Sequence, residues 1–279
     1  MVHSQDFYKM YQETFEKYTN LYGAHVCVFL LKGSFYELYG IYDPIQDRYE
    51  NTVKEVADLL DLQLKVYPND VKGGKTGLFG GVPDQSIHKW AGKLSHMGWT
   101  CVLIDQIKSA SGQVEKREVA RVLSPGTHIE VAESDESVYV SAISVDGSFL
   151  DRPPSYSLAS IESATGQVIL YEANSTGTLS FFHCDTGAQM CATYVPKEVY
   201  LFWKGSPMYC LEESEWRIRF QIPSHVPLHI RRNEEGFEEE SRRQDYLTQT
   251  FHPKTLMPIR PWLGTMESPH AEQLSLIHI

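Results

Sequence analysis

Six consecutive apolar residues, Val26-Cys27-Val28-Phe29-Leu30-Leu31, run straight into Lys32-Gly33-Ser34-Phe35-Tyr36-Glu37-Leu38-Tyr39-Gly40. This stretch constrains the fold more than any other. A short unbroken apolar run rich in β-branched and aromatic residues predicts a strand buried on both faces, here from His25 to Tyr39 with a glycine break. Side chains of a strand alternate, so Phe35 and Glu37 point one way and Tyr36 and Leu38 the other. Tyr36 and Leu38 suit a core. The remaining pair is a bulky ring beside an acid with glycine on either side, able to wedge against a base and read it. Taken alone, the same pair also fits an edge-strand aromatic next to a solvated acid.

The flanking sequence alternates helical and strand periods. From Ser4, a candidate N-cap, Phe7, Met10, Tyr11, Phe15, Tyr18 and Leu21 recur at close to helical spacing, with Gly23 as the stop. A turn at Asp43-Pro44 ends the strand region. Thr52-Val53-Lys54-Glu55 has the form of a capping box opening a helix with Val53, Val56, Ala57 and Leu60 on one side. A strand over Leu62 to Tyr67 and a Gly-rich loop over Val71 to Gly77 follow. Asp84 reads as the cap of a helix with Ile87, Trp90, Ala91, Leu94 and Met97 inward, closed by Gly98. Strands at Trp99 to Ile104 and Arg117 to Leu123 complete a small mixed α/β domain.

Ser124-Pro125-Gly126-Thr127 and the polar run Glu130 to Ser137 read as a linker. Strand-like stretches at Val138 to Val145, Tyr156 to Ser163 and Gln167 to Glu172, separated by Asp146-Gly147 and Thr165-Gly166, predict a β-meander. A helix and a strand at Glu198 to Trp203 then complete a second domain. The charge run Glu234 to Arg243 reads as a solvated connection.

With 279 residues, 42% of them apolar, the chain can bury two cores. No stretch approaches the roughly 18 apolar residues of a membrane span, and Met1-Val2-His3-Ser4-Gln5-Asp6 lacks a secretory pattern, so an intracellular, membrane-free protein is expected. Five scattered cysteines (Cys27, Cys101, Cys184, Cys191, Cys210) without a Cys-x-x-Cys pair indicate reduced thiols, not a disulfide framework or a zinc site. The net charge of −11 is uneven: residues 1–127 carry 14 Lys and Arg against 15 Asp and Glu, and the remaining 152 carry 11 against 21. The first part can bind a polyanion only if its basic residues share one face.

Gly73-Gly74-Lys75-Thr76 invites a phosphate-loop reading, but the earlier glycine that pattern requires is Asn69. Lys75 is left as a candidate DNA contact on a Gly-rich loop. His183 and Cys184 near Cys191 match no common metal spacing. Glu162 on a strand hints at a Mg²⁺-dependent nuclease, without the partner acids such a site needs. No Gly-x-Ser-x-Gly or His-Glu-x-x-His element appears.

Taken in order, Gly33-Ser34-Phe35-Tyr36-Glu37-Leu38, Gly80-Gly81-Val82-Pro83, Lys93-Leu94 with Gly98, Val102-Leu103-Ile104-Asp105-Gln106, and Arg117-Glu118-Val119 with Ser124-Pro125-Gly126-Thr127 closely resemble the mismatch-recognition domain of MutS proteins. The wording of Ile104-Asp105-Gln106 and of Lys116-Arg117-Glu118 through Thr127 is most similar to the giant-virus and octocoral type. Ile161 to Gln167 and Tyr194 to Val199 resemble the MutS connector, a ribonuclease-H-like domain without catalysis. Leu256 to Ile259 and Trp262 to Glu267 resemble the entry to the helical lever domain. Leu274-Ser275-Leu276-Ile277-His278-Ile279 resembles translated adapter sequence, which suggests an artificial end within a longer reading frame. The usual acid between Gly33 and Phe35 is replaced by Ser34.

The resemblance implies an α/β fold in three parts: a mismatch-recognition domain over 1–127, a ribonuclease-H-like connector over 128–235, and the start of a lever domain over 236–279. It implies Phe35 as a wedge and Glu37 as a reader entering the minor groove of double-stranded DNA at mismatches or small loops. It also implies a MutS-type dimer and a DNA-dependent ATPase using ATP and Mg²⁺ in the full-length protein. No cofactor, metal or enzymatic activity is expected in residues 1–279. Two alternatives stay open: a ribonuclease-H-like Mg²⁺-dependent nuclease, and a non-catalytic module that binds another protein.

Overall fold

The computed structural model describes residues 4–66, 74–109, 114–127, 137–148, 154–173, 184–206 and 210–232, together with 241 and 245. The chain divides into two units, Met1–Ser134 and Asp135–Ile279. The segment 236–279, where a lever domain is expected, lies outside the described residues apart from 241 and 245.

In the first unit, helix α1 (Ser4–Tyr22) ends at Gly23, whose φ of 85° is the left-handed value that favours glycine after a helix. The expected continuous strand from His25 to Tyr39 is instead two antiparallel strands, β1 (Val26–Lys32) and β2 (Phe35–Asp43). Gly33-Ser34 forms a two-residue turn, with Gly33 at φ 64° in the first central position, as hairpins of the type II′ pattern require. The glycine read as an interruption therefore reverses the chain.

Strands β3 (Arg48–Tyr49), β4 (Lys65–Val66), β5 (Thr76–Pro83), β6 (Thr100–Lys108) and β7 (Val114–Leu123) join them. The sheet runs β4-β5-β2-β1-β6-β7, with β3 beside β2. It is mixed, because β1 and β6 pair in parallel while the other pairs are antiparallel. Of the strand expected over Leu62 to Tyr67, only the exposed pair Lys65–Val66 is strand, and Tyr67 lies outside the described residues.

Both faces of the sheet are covered. On one, Phe29, Tyr36 and Leu38 pack with Val53, Val56 and Leu60 from and just beyond α2 (Val53–Leu59), and with Ile87, Ala91 and Leu94 of α3 (Ile87–His96). On the other, Val28, Leu30, Tyr39 and Ile104 pack with Tyr11 and Phe15 of α1. Each such side chain contributes about 1.5–3 kcal/mol by leaving water. Tyr11 also makes a polar tie, its hydroxyl donating to the Val28 carbonyl at 2.7 Å and accepting from the Tyr39 amide at 3.2 Å.

Two expected caps form differently. Thr52 Oγ1 donates to the Val26 carbonyl at 2.7 Å, and Asn51 Oδ1 accepts from the Val53 amide at 3.2 Å, so Asn51 does the capping expected of Thr52. Asp84 opens a single 3₁₀ turn (Asp84–Ser86) ahead of α3.

The second unit is a five-stranded mixed sheet. Strands β8 (Tyr139–Asp146), β9 (Ser155–Glu162) and β10 (Val168–Ala173) form the expected antiparallel meander. The chain then passes through α4 (Cys184–Thr193) to β11 (Pro196–Lys204), parallel to β8, and through α5 (Glu213–Phe220) to β12 (Leu228–Arg232), parallel to β11. The order is β10-β9-β8-β11-β12. Its core gathers Ile143, Leu158, Leu201 and Trp203 with Trp216 and Phe220 of α5.

Candidate nucleic-acid interface

Phe35 is the first residue of β2, immediately beyond the Gly33-Ser34 turn, and is 49% exposed. Tyr36 and Leu38 are buried, as alternation demands. Phe35 pairs across to Lys32 on β1 and to Pro83 on β5, and Glu37 to Leu30 and Gly81. The ring therefore projects from the end of the sheet, on the α1 face but past the residues that α1 covers. The exposed aromatic is thus held by ladders on both sides.

Glu37 is tethered through one oxygen. Its Oε2 accepts from the Tyr39 hydroxyl and lies 3.4 Å from the Lys32 ammonium. Its Oε1 has no donor among the described residues, so it remains free to accept a hydrogen bond from a ligand. Lys32 also lies 3.5 Å from the Tyr39 hydroxyl and is half exposed, which puts a cation beside the tip. Gly81 makes room for this arrangement, because a Cβ there would stand 3.3 Å from Glu37 Cγ.

On the opposite face the Tyr36 hydroxyl donates to the Asp105 carboxylate of β6. Burial, followed by that acceptor, pushes the Tyr36 phenol up to about 12, with Arg121 acting against the shift. Arg121 Nη1 in turn lies 2.8 Å from His88 Nε2. Gln106 Nε2 donates to the Leu31 carbonyl at 2.7 Å. Sequence reasoning placed Asp105 and Gln106 in a family motif without a role. Their reach to the hairpin depends on strand register, which no local pattern encodes.

Lys75 is not brought to this site. It adjoins the start of β5, where Thr76 pairs with Tyr42, seven residues along β2 from Phe35, on the order of 23 Å at strand rise. Its ammonium is held by Glu50 and lies 3.6 Å from Asp43 Oδ2, which raises its pKa above the usual lysine value, chiefly through Glu50. Asp43 is held below the usual carboxylate range, first by the Gln46 amide and then by the Ile45 amide and Lys75. The Gly-rich loop before Lys75 lies largely outside the described residues.

In the second unit Glu162 is buried and turns inward. Its oxygens accept from the amides of Thr165 at 2.6 Å and of Val138 and Ala164 at 3.3 Å, and its pKa is lowered by hydrogen bonding to Thr165 above all. This carboxylate organises a turn. Cys184 and Cys191 are buried, and burial raises their thiols to about 11 and about 12. His183 lies outside the described residues. Among the described residues no group of three or more His, Cys, Asp or Glu side chains could hold a metal ion, and no helix is long and apolar enough to cross a membrane.

The first unit is thus a mixed-sheet α/β domain presenting a rigid aromatic beside a tethered carboxylate at a hairpin tip. Its sequence matches the family model for MutS domain I over residues 5–132, and this segment is a MutS domain I, the N-terminal mismatch-recognition domain of the MutS family. The chain is 24% identical over 180 residues to the DNA mismatch repair protein MutS of Parasynechococcus marenigrum (strain WH8102), covering 63% of this chain and 19% of that protein. It is 30% identical over 143 residues to MutS of Nostoc punctiforme (49% and 14% covered). With MutS 1 of Haloarcula marismortui it shares 29% identity over 135 residues (48% and 13%). The chain spans less than a fifth of the length of these relatives. Among solved structures, one described as the simian T-cell lymphotropic virus intasome in complex with PP2A regulatory subunit B56 gamma aligns over 46% of each chain at 9% identity and a TM-score of 0.19, too low to carry an argument.

Proposed function

We propose that the first unit probes double-stranded DNA for mismatches or small loops in DNA mismatch repair, with Phe35 as the wedge and Glu37 as the reader. The observation that carries this reading is the half-exposed Phe35 ring beside a carboxylate with one tethered and one open oxygen, within a MutS domain I. The minor groove offers a degenerate code, so a probe entering it must test how easily the stack deforms. Unstacking costs a few kcal/mol, least where pairing is already weak. Stacking of a base on Phe35 offsets about 1–3 kcal/mol of this. Glu37 Oε1 accepts a hydrogen bond from the displaced base, while its charge near phosphates penalises undistorted duplex. Lys75 is left out, because a phosphate would compete with Asp43 and Glu50 for it.

The second unit serves as a non-catalytic connector. Its order, a three-stranded meander followed by two parallel strands reached through helices, supports the ribonuclease-H-like reading. Glu162 occupied by three backbone donors argues against a nuclease centred on it. In the full-length protein, a dimer with an ATPase using ATP and Mg²⁺, the connector relays nucleotide state to the DNA-gripping parts, and a lever domain begins beyond residue 236. The wording around Ile104-Asp105-Gln106 supports the giant-virus and octocoral type.

Titration of the chain with mismatched and matched duplexes over a salt series tests the proposal. A preference for the mismatch, with affinity falling as salt rises, is expected. Equal binding to both duplexes would overturn it, and a lack of binding to either would favour the protein-interaction module.

A further inference from the structure

The hairpin that carries Phe35 and Glu37 is held in two different ways. On the β5 side the backbone does it: Phe35 pairs with Pro83, and the Asp84 amide donates to the Ser34 carbonyl at 2.9 Å. On the β6 side the parallel register of β1 and β6 runs from Val26/Thr100 to Leu30/Ile104. Just past that end, side chains take over. Gln106 Nε2 donates to the Leu31 carbonyl at 2.7 Å, and the Asp105 carboxylate accepts from the Tyr36 hydroxyl. Leu31 and Tyr36 are register partners, so two consecutive residues of β6 grip one rung. That rung lies between Phe35 and Glu37.

We propose that Tyr36, Asp105 and Gln106 are positioning residues that clamp this rung and thereby set the pose of Phe35 and Glu37, an inference that rests on the reading of the hairpin as a DNA probe. The two consecutive β6 residues reach the rung from opposite sides of the sheet, as alternation dictates. One fixes a side chain from the α2 and α3 face, and the other fixes the backbone carbonyl. A wedge must transmit force to the base stack, and a hairpin tip anchored on one edge only would pivot instead. The Tyr36 ring is buried with Leu38 and Val82 in the core, so removing its hydroxyl loosens the clamp without opening a cavity.

The test uses the whole 279-residue chain with Tyr36→Phe and Gln106→Ala. Amide hydrogen exchange at Phe35 and Glu37 is expected to rise about three- to tenfold in each variant, the size of one lost hydrogen bond. Exchange at Phe29 and Val102, deep in the sheet, should stay at the wild-type rate. In parallel, the ratio of mismatched to matched duplex affinity should fall about threefold or more, with Phe35→Ala as the companion. Unchanged exchange at Phe35, or a rise spread evenly over the sheet, overturns the clamp whatever the DNA result. If Phe35→Ala removes the preference while Tyr36→Phe and Gln106→Ala keep it, the clamp fails and the wedge stands. If Phe35→Ala changes nothing, the wedge fails, and the exchange data alone decide whether the rung is clamped.

Discussion

Gly81 of β5 lies directly across from Glu37 of β2, and a Cβ at that position would stand 2.9 Å from the Tyr36 carbonyl and 3.3 Å from Glu37 Cγ. The backbone contact cannot relax by rotamer change, so either the strands part or the Glu37 side chain leaves its tether. Gly81→Ala is therefore expected to destabilise the first unit by about 1–3 kcal/mol, the usual range for overpacking. It should also lower mismatch preference more than an exposed substitution of equal stability cost. Thermal unfolding alongside duplex titration reads both effects, and a fully stable, fully selective Gly81→Ala chain would contradict this geometry.

The Lys75 bridge predicts a pH dependence of known sign. Asp43 has a folded pKa below its ordinary 3.8, so its contribution is fully present above that value and is lost as pH falls through the folded value. Lys75 has a folded pKa above its ordinary 10.5, so its contribution is present below that value and is lost as pH rises through the folded one. Asp43→Asn and Lys75→Met should both be less stable than wild type at pH 7. The Asp43→Asn deficit should vanish in strong acid, and the Lys75→Met deficit should shrink at 1 M salt, on the order of a 3 Å screening length. Because this lysine is already paired, Lys75→Met should leave the salt dependence of DNA binding unchanged.

Glu162→Gln separates a turn carboxylate from a catalytic one. The folded pKa of Glu162 is depressed below 4.5, so its stabilising effect is present above that pH and fades below it. The variant should unfold at a lower temperature than wild type at pH 7, with the gap closing as pH falls toward 3. Neither protein should cleave nucleic acid with Mg²⁺. Mg²⁺-dependent cleavage abolished by Glu162→Gln would restore the nuclease reading.

Much of this organisation is legible in the residues. Helical spacing from Met10 to Leu21 places Tyr11 and Phe15 inward, and alternation alone separates exposed Phe35 from buried Tyr36 and Leu38. The hairpin is not read from the residues: a Gly-Ser pair between two apolar runs has the form of a tight turn, but the unbroken apolar run before it reads as one continuous strand through to Tyr39. The long-range partners were not legible. Asp105 lies 69 positions from Tyr36, and Gln106 lies 75 from Leu31. Only the β1 and β6 register brings them together. Thr52 shows the converse: its capping-box spacing to Glu55 is right, but its hydroxyl donates to the Val26 carbonyl and accepts from no amide of the helix.

Entry of Phe35 into the base stack has a direct optical readout. A duplex carrying 2-aminopurine beside a mismatch reports unstacking as a rise in fluorescence and can be titrated with the chain and with Phe35→Ala. The wild-type chain should raise the signal on the mismatched duplex and far less on the matched one. Phe35→Ala should abolish the rise and weaken mismatch binding by about 1–3 kcal/mol, roughly 5- to 150-fold. An undiminished rise and an unchanged ratio of mismatched to matched affinity in Phe35→Ala would rule out Phe35 as the wedge.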